Sequence, residues 1–99
     1  MYARSGLVEV SPSRVDDAVR ALADEQIPRY RELQGYRGIT VLADRHSGKI
    51  LGISFWESEA DIAASDALGE EARTRVRDAG GGSGEPVREV WEVLLDDPV

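Results

Sequence analysis

The sequence predicts an α+β domain whose elements follow the order β-α-β-β-α-β and whose strands form one antiparallel four-stranded sheet. Four β-prone segments are present, and two segments with apolar residues at helical spacing lie between them. Proline, glycine and serine mark the boundaries between these segments. A chain of 99 residues is long enough for one hydrophobic core and too short for two. Residues 1–99 are therefore expected to form a single domain.

The first strand and the first helix are predicted from the N-terminal quarter. Tyr2–Val10 is β-prone, and Pro12 ends the strand because proline has no N–H for the hydrogen-bond ladder. Ser13 and Asp16 have the Ser-x-x-acid spacing of a capping box, which predicts the start of a helix. The apolar face of this helix is formed by Val15, Ala18, Val19, Leu22 and Gln26.

Pro28 predicts an interruption of the first helix. A proline inside a helix lacks one hydrogen-bond donor and clashes with the preceding turn, so the helix should stop or kink near Gln26. We expect a short turn to continue through Tyr30 and Leu33 and to end at Gly35.

The middle of the chain predicts a hairpin followed by a second helix. Tyr36–Asp44 and Lys49–Trp56 are both β-rich, and the segment between them contains Gly48, which favours a tight reversal. Ser58 and Asp61 repeat the capping-box spacing. The inward positions of the second helix are expected to be Ile62, Ser65, Leu68, Ala72 and Val76.

The segment between the second helix and the last strand is rich in glycine. Gly69 is expected to weaken the middle of the second helix, and residues 80–84 form a flexible linker by composition. Pro86 then leads into the last predicted strand, Val87–Leu95.

Apolar residues occupy both faces of the predicted sheet. The third strand places Leu51, Ile53 and Phe55 on one face and Ile50 and Trp56 on the other, and the fourth places Trp91, Val93 and Leu95 against Val90 and Leu94. Two helices can cover only one face, and the other would expose a larger apolar patch than a soluble monomer usually tolerates. We therefore expect two copies to stack sheet on sheet as a homodimer, with Trp91 in the core or at the dimer interface.

The composition excludes several classes of function. The net charge of −7 and the scattered Lys and Arg residues disfavour nucleic acid as a partner. The chain has no cysteine and one histidine, so a metal site within one subunit is not expected. No apolar run approaches the roughly 18 residues of a membrane span, and the N-terminus lacks the apolar stretch of a secretory signal. The expected location is the cytoplasm, without membrane association.

Several stretches of the sequence carry a family resemblance. They are Met1–Ser5, Leu42–Gly48, Trp56–Glu59 and Ala64–Ser65. With these residues the chain resembles the antibiotic biosynthesis monooxygenase domains over essentially its whole length. The resemblance implies a ferredoxin-like subunit that pairs into a dimeric α+β barrel. It also implies one of several activities found among such proteins, which include cofactor-independent oxygenases of aromatic polyketides and haem-degrading enzymes.

The resemblance transfers only part of a known site. Trp56 falls where the polyketide oxygenases have a tryptophan in the pocket. The tyrosine six positions later in those enzymes is matched here by Ile62, and the asparagine four positions earlier by Gly52. Haem-degrading relatives use an asparagine on the first strand and a helical histidine, whereas this chain has no asparagine and its one histidine, His46, lies in the hairpin turn. The resemblance therefore implies no haem, and no other cofactor is expected.

Four residues are candidate substrate-binding groups, and no catalytic residue is assigned. Trp56 offers an apolar wall and one N–H donor, although a tryptophan at the end of a strand is more often core packing. Tyr30 and Tyr36 offer phenolic hydroxyls, or are partly exposed packing residues. Arg4 is suited to an anionic or enolate oxygen, and an ion pair with Glu89 or Glu92 explains it equally well.

Two hypotheses about function follow. The first is an oxygenase that uses neither metal nor flavin and acts on a small aromatic or polyketide-type substrate in a dry aromatic pocket. The second is a non-catalytic dimeric barrel that binds a small hydrophobic ligand or a protein partner.

Overall fold

A computed structural model describes residues 1–99. It contains four strands, β1 (Tyr2–Glu9), β2 (Tyr36–Asp44), β3 (Lys49–Trp56) and β4 (Val87–Glu92), and three α-helices, α1 (Val15–Ala21), α2 (Ile27–Tyr30) and α3 (Glu59–Ala79). All strand pairs are antiparallel and the sheet order is β2-β3-β1-β4. This arrangement confirms the predicted ferredoxin-like α+β fold.

Helices α1 and α3 pack together on one face of the sheet. Because strand side chains alternate between faces, this face receives every second residue of each strand, including Arg4 and Val8 of β1 and Ile50, Ser54 and Trp56 of β3. The buried cluster between sheet and helices comprises Val8, Val10, Val15, Ala18, Leu22, Tyr30, Ile50, Trp56, Ile62, Ala72 and Val76. The core therefore lies entirely on the helical side of the sheet.

The predicted interruption of the first helix is confirmed. Leu22–Gln26 forms a π-helical turn between α1 and α2. The α-helical hydrogen-bond pattern is interrupted there, but the chain stays helical. Pro28 then lies in α2 directly after the π-helical turn, so the hydrogen-bond pattern changes next to the residue that has no N–H to donate. Gly35 ends the segment with a φ of 81°, a conformation that favours glycine.

The capping box predicted for the first helix is wrong. Ser13 lies inside a 3-10 turn, Pro12–Arg14, and no side chain caps either that turn or α1. The turn is closed by the main chain instead, because the Arg14 N–H donates to the Ser11 carbonyl at 2.8 Å. Pro12, with its fixed φ, begins the turn one residue before the predicted cap.

The second capping box is confirmed. The Ser58 hydroxyl accepts a hydrogen bond from the Asp61 N–H at 3.2 Å and donates one to the Asp61 carboxylate at 2.9 Å. Helix α3 then continues for 21 residues through Gly69. Four of its five predicted inward positions are buried, whereas Leu68 is half-buried and Gly69 is buried in its place.

The last strand is shorter than predicted. It ends at Glu92 and not at Leu95, because its neighbour β1 begins at Tyr2, opposite Glu92. One further hydrogen bond, from the Val93 N–H to the Met1 carbonyl at 2.9 Å, ends the pairing. The side chain of Leu95 is 87% exposed.

The second face of the sheet is covered by no element of the chain. It carries Leu7 of β1, Leu42 of β2, the Leu51, Ile53 and Phe55 row of β3, and Val87 and Trp91 of β4. Leu42, Val87 and Trp91 are 51%, 49% and 52% exposed. We call this surface the open face. None of the helices combines the length and apolar character that a membrane span requires.

Candidate ligand site

A recess lies between the helical face of the sheet and α3. About 50 Å³ of it is wide enough for water, and the whole recess, including its mouth, encloses about 450 Å³. The larger volume includes open solvent at the mouth, so the enclosed part of the recess is small. The polar groups on its wall are Arg4, Tyr30, Ser54 and Arg73, and the remaining wall is aliphatic side chains and glycine.

Three glycines on three elements leave room for the recess. A Cβ on Gly52 of β3 would meet no atom within 4 Å, so this position faces empty space. A Cβ on Gly69 of α3 would lie 2.7 Å from Arg4 Cζ, and one on Gly6 of β1 would lie 2.9 Å from Arg73 Cδ. Gly6 and Gly69 therefore make space for two arginine side chains that reach the recess.

Arg4 is held inside the protein by α3. Its side chain is 3% exposed, and Nη1 donates to Ser65 Oγ at 2.7 Å and to Asp66 Oδ1 at 3.0 Å. The expected ion pair with Glu89 or Glu92 is wrong. Glu89 lies on the opposite face of the sheet, and the partner of Arg4 is Asp66 of α3 and not Glu92. A buried guanidinium paired in this way is fixed in position.

The other terminal nitrogen of Arg4 has no partner. Nη2 is buried and forms no hydrogen bond with the protein. The guanidinium carbon lies 5.4 Å from the Trp56 ring centroid and 6.0 Å from that of Tyr30, so both rings stabilise its charge from their faces. No acceptor meets the geometry of a hydrogen bond with Nη2, although the Tyr30 hydroxyl lies near the guanidinium group, and Arg4 lines the recess.

The three predicted aromatic residues form one cluster. The ring centroids are 6.0 Å apart for Tyr30 and Trp56, 5.4 Å for Tyr36 and Trp56, and 5.9 Å for the two tyrosines. Trp56 is 0% exposed, and its indole N–H donates to Ser54 Oγ at 2.9 Å. The structure thus brings all four predicted site residues together, but only Arg4 and Tyr30 line the recess. Trp56 packs against Tyr30 and Tyr36 outside the recess lining. Contact of Trp56 and Tyr36 with substrate stays a prediction.

Burial controls the ionisation of the site. Burial raises the pKa of the Tyr30 phenol, and the positive charge of Arg4 opposes that shift. Tyr30 is therefore a neutral hydrogen-bond donor near pH 7. Burial also lowers the pKa of Arg73, and the charge of Arg4 lowers it further. The two guanidinium groups therefore repel each other, and no carboxylate is among the residues that line the recess.

Arg73 and Ser54 are site residues that the sequence reasoning missed. Arg73 follows Gly69 by four residues on α3, and residues four apart share a helix face. That spacing was the available signal. His46 does not approach the recess: it lies exposed in the hairpin turn, where its main-chain N–H donates to Asp44 Oδ1 at 2.9 Å. The structure contains no group of three or more side chains suited to hold a metal ion.

Solved structures with this architecture identify the fold. A monooxygenase of Streptomyces coelicolor in complex with nanaomycin D superimposes with a TM-score of 0.76 and 18% identity, covering 99% of this chain and 92% of that one. The same architecture occurs in solved proteins named antibiotic biosynthesis monooxygenases. The chain has the antibiotic biosynthesis monooxygenase fold. The resemblance inferred from the sequence is thereby confirmed for the fold.

Two further proteins that are similar to this chain are considerably longer than it. An anthrone oxidase-like protein superimposes with a TM-score of 0.71 and 21% identity over 95% of this chain and 44% of that one. The uncharacterised protein Rv2558 of Mycobacterium tuberculosis is 33% identical over 95 residues, which are 96% of this chain and 39% of the relative. The chain thus spans about two-fifths of that relative. No protein-family model matches the sequence.

Proposed function

We propose that the chain is a cofactor-independent monooxygenase-like protein that acts on a small aromatic or polyketide-type substrate in the recess. The observation that carries this proposal is the free Nη2 of buried Arg4, a residue that lines a largely apolar recess together with the neutral Tyr30 phenol. Two donors in a dry site stabilise an oxygen that becomes negative during a reaction. The nanaomycin D bound to a protein of the same fold and the name of the anthrone oxidase-like protein support the substrate class.

The chemistry requires no group beyond substrate and dioxygen. A phenol or enol of the substrate loses a proton to water at the mouth, since the recess wall contains no carboxylate or imidazole. Arg4 and Tyr30 hold the resulting oxyanion, and the conjugated carbanion passes electrons to dioxygen and forms a C–O bond. The hydroperoxide then loses water. A CH₂ group and O₂ thus give a C=O group and H₂O, with the substrate carbon oxidised and dioxygen reduced.

Oxygen uptake with anthrone tests this activity. The wild-type protein is expected to consume oxygen faster than buffer with anthrone. Tyr30→Phe should lower the rate by about tenfold or more, because one donor to the oxyanion is lost. Tyr2→Phe is the matched control, since it removes a phenol outside the recess. Uptake no faster than in buffer, or an equal loss in both variants, would refute the proposal.

We propose further that a second copy of the chain covers the open face, giving a homodimer in the cytoplasm. The apolar side chains on that face support a sheet-on-sheet interface. Sedimentation at micromolar concentration should show a dimer, and Trp91→Glu should dissociate it because a charge would be buried. Val90→Glu, on the other side of the same strand, should leave association intact. A monomeric wild-type protein would contradict the proposal, and cell fractionation tests the location.

The alternative function is a non-catalytic barrel that binds a small hydrophobic ligand or a protein partner. The absence of a carboxylate or imidazole from the recess wall favours it, because no side chain there is a strong base. Native mass spectrometry of the purified protein should then reveal a bound small molecule, with no oxygen uptake. A protein that carries no ligand and consumes oxygen with anthrone would contradict this alternative.

A further inference from the structure

The charges around the recess do not balance. Asp66 is the one carboxylate that pairs with an arginine of the recess wall, and it also pairs with Arg88. Its Oδ1 accepts from Arg4 Nη1 at 3.0 Å, and its two oxygens accept from Arg88 Nη2 at 2.9 and 2.8 Å. Arg73 lines the recess and forms no ion pair with any residue of the chain. Three guanidinium groups therefore meet one carboxylate, although the chain as a whole carries a net charge of −7.

The position at which a negatively charged ligand would bind is indicated by the unpartnered nitrogen of Arg4. Nη2 of Arg4, on a side chain that is 97% buried (3% exposed), has hydrogens without an acceptor, and Arg4 is one of the residues that line the recess. Leaving a buried charged donor unsatisfied is costly, so such groups in native proteins have a partner. Arg73 reaches the same space from α3 through the clearance at Gly6. Two cationic donors from opposite walls thus face one cavity.

The apolar part of the recess wall indicates that the rest of the ligand is a hydrocarbon body. Val8, Leu22, Ile39, Ile50, Ala72 and Val76 supply aliphatic contacts, and Gly52 leaves open space on the sheet side. A bare inorganic anion would leave this apolar surface without contacts. An organic acid satisfies both parts, because its carboxylate accepts from arginine and its hydrocarbon body displaces water from the aliphatic wall.

We propose that the recess selects ligands with a permanent negative charge, namely small flat organic acids whose carboxylate lies between Arg4 Nη2 and Arg73. This inference rests on the proposed function in taking the recess as the ligand site, and it adds the charge of the ligand. Arg4 is the anchor because it is fixed by Ser65 and Asp66. Arg73 contributes a second donor, which forms no ion pair within the chain.

Matched acids and amides test the charge directly. Binding of 1-naphthoate and benzoate is compared with that of 1-naphthamide and benzamide by titration calorimetry in chloride-free buffer. Each amide has the shape of its acid but no charge. We expect the better-bound acid to bind about tenfold more tightly than its amide, since a charge-assisted hydrogen bond is gained. Equal affinity of acid and amide in both pairs, or no binding by either acid, would overturn the inference.

Two arginine variants locate the effect. Arg73→Gln should weaken binding of the acid by about tenfold and change binding of the amide by less than about twofold. Arg75→Gln is the control, because Arg75 is two residues away on α3 and pairs with Glu25 on the outer surface. An equal loss of acid affinity in both variants would indicate a diffuse charge effect and would contradict the site. Displacement of the acid by equimolar sulfate would show an inorganic anion site and would also contradict it.

Binding and activity fail separately. Acid binding without oxygen uptake would keep the inference and reject the proposed oxygenase. Oxygen uptake with anthrone, together with equal affinity for acids and amides, would keep the oxygenase and reject the inference.

Discussion

The two tryptophans of the chain lie on opposite faces of one sheet and make the same local contact. The Trp56 indole donates to Ser54 Oγ at 2.9 Å, and the Trp91 indole donates to Ser5 Oγ at 3.0 Å. Their surroundings differ completely. Trp56 is 0% exposed beneath two tyrosines and Arg4, whereas Trp91 is 52% exposed on the open face.

The difference shows how one sheet serves two purposes. The helical face contains the core, the aromatic cluster and the recess, so its residues are constrained by close packing. The open face is a broad apolar surface with nothing of the same chain above it. A mutation on the first face should therefore alter folding, and one on the second should alter association.

The largest expected effect comes from truncating the two tryptophans. Trp56→Ala should lower the free energy of unfolding by about 3–5 kcal/mol, because a large buried side chain is removed and leaves a cavity. Urea denaturation measures this loss, which should not depend on protein concentration. Trp91→Ala should show a loss that grows as protein concentration rises, since it weakens the proposed dimer. Equal, concentration-independent losses would remove the distinction between the faces.

Two glycines on the recess wall should respond differently to substitution by alanine, because a Cβ at Gly69 would meet Arg4 and a Cβ at Gly52 would meet no atom. Gly69→Ala gains about 1 kcal/mol of helix propensity. It also forces the pinned Arg4 guanidinium from its bonds, so we expect a net loss of about 1–2 kcal/mol in unfolding experiments. Gly52→Ala should be neutral or slightly stabilising, because its Cβ meets nothing. A stabilised Gly69→Ala variant would show that Arg4 is not fixed there.

The two predicted capping boxes should differ in their contribution to the helices that cover the sheet. Ser58→Ala should lower the free energy of unfolding by about 1 kcal/mol, since the cap of α3 is lost. Ser13→Ala should change it by less than about 0.5 kcal/mol, because that hydroxyl caps nothing. Thermal unfolding of both variants makes the comparison, and a larger loss at Ser13 would contradict the described N-terminus of α1.

The smallest effect concerns an exposed ion pair between α1 and the hairpin. Hydrogen bonds from Arg45 lower the pKa of the Asp16 carboxyl below 3.8. A lowered pKa in the folded state stabilises the fold above the unfolded pKa, and that contribution disappears as pH falls through the folded value. NMR titration should show the Asp16 midpoint rising in Arg45→Gln. An unchanged midpoint would mean that the pair does not form in solution.

Much of the fold could be predicted because its signals are local. Both hairpin strands have the predicted bounds, and the departure from α-helical geometry before Ile27 was predicted from Pro28 alone. Where local signals compete, prediction failed. Ser13 has the spacing of a cap, but Pro12 starts a 3-10 turn first. The apolar run after Glu92 is typical of a strand, but pairing stops opposite Tyr2, where the antiparallel neighbour β1 begins.

The candidate site could be predicted only in part, because its geometry depends on contacts that are not local in sequence. Arg4, Tyr30, Tyr36 and Trp56 were recognised by residue type, and they do meet in space. Which of them reach the recess depends on packing between elements far apart in sequence. Arg73 became visible only once α3 was placed over β1, where Gly6 makes way for its side chain.

The sequence by itself determined the element order, the apolar character of both sheet faces and the set of residues that could bind a ligand. These features follow from periodicity, turn chemistry and residue type within short windows. Only the tertiary structure decided that Arg4 pairs with Asp66, that Trp56 is fully buried beside Arg4 and that Arg4 and Arg73 line one recess. Those contacts join residues about sixty positions apart, and their geometry is set by how α3 crosses the sheet.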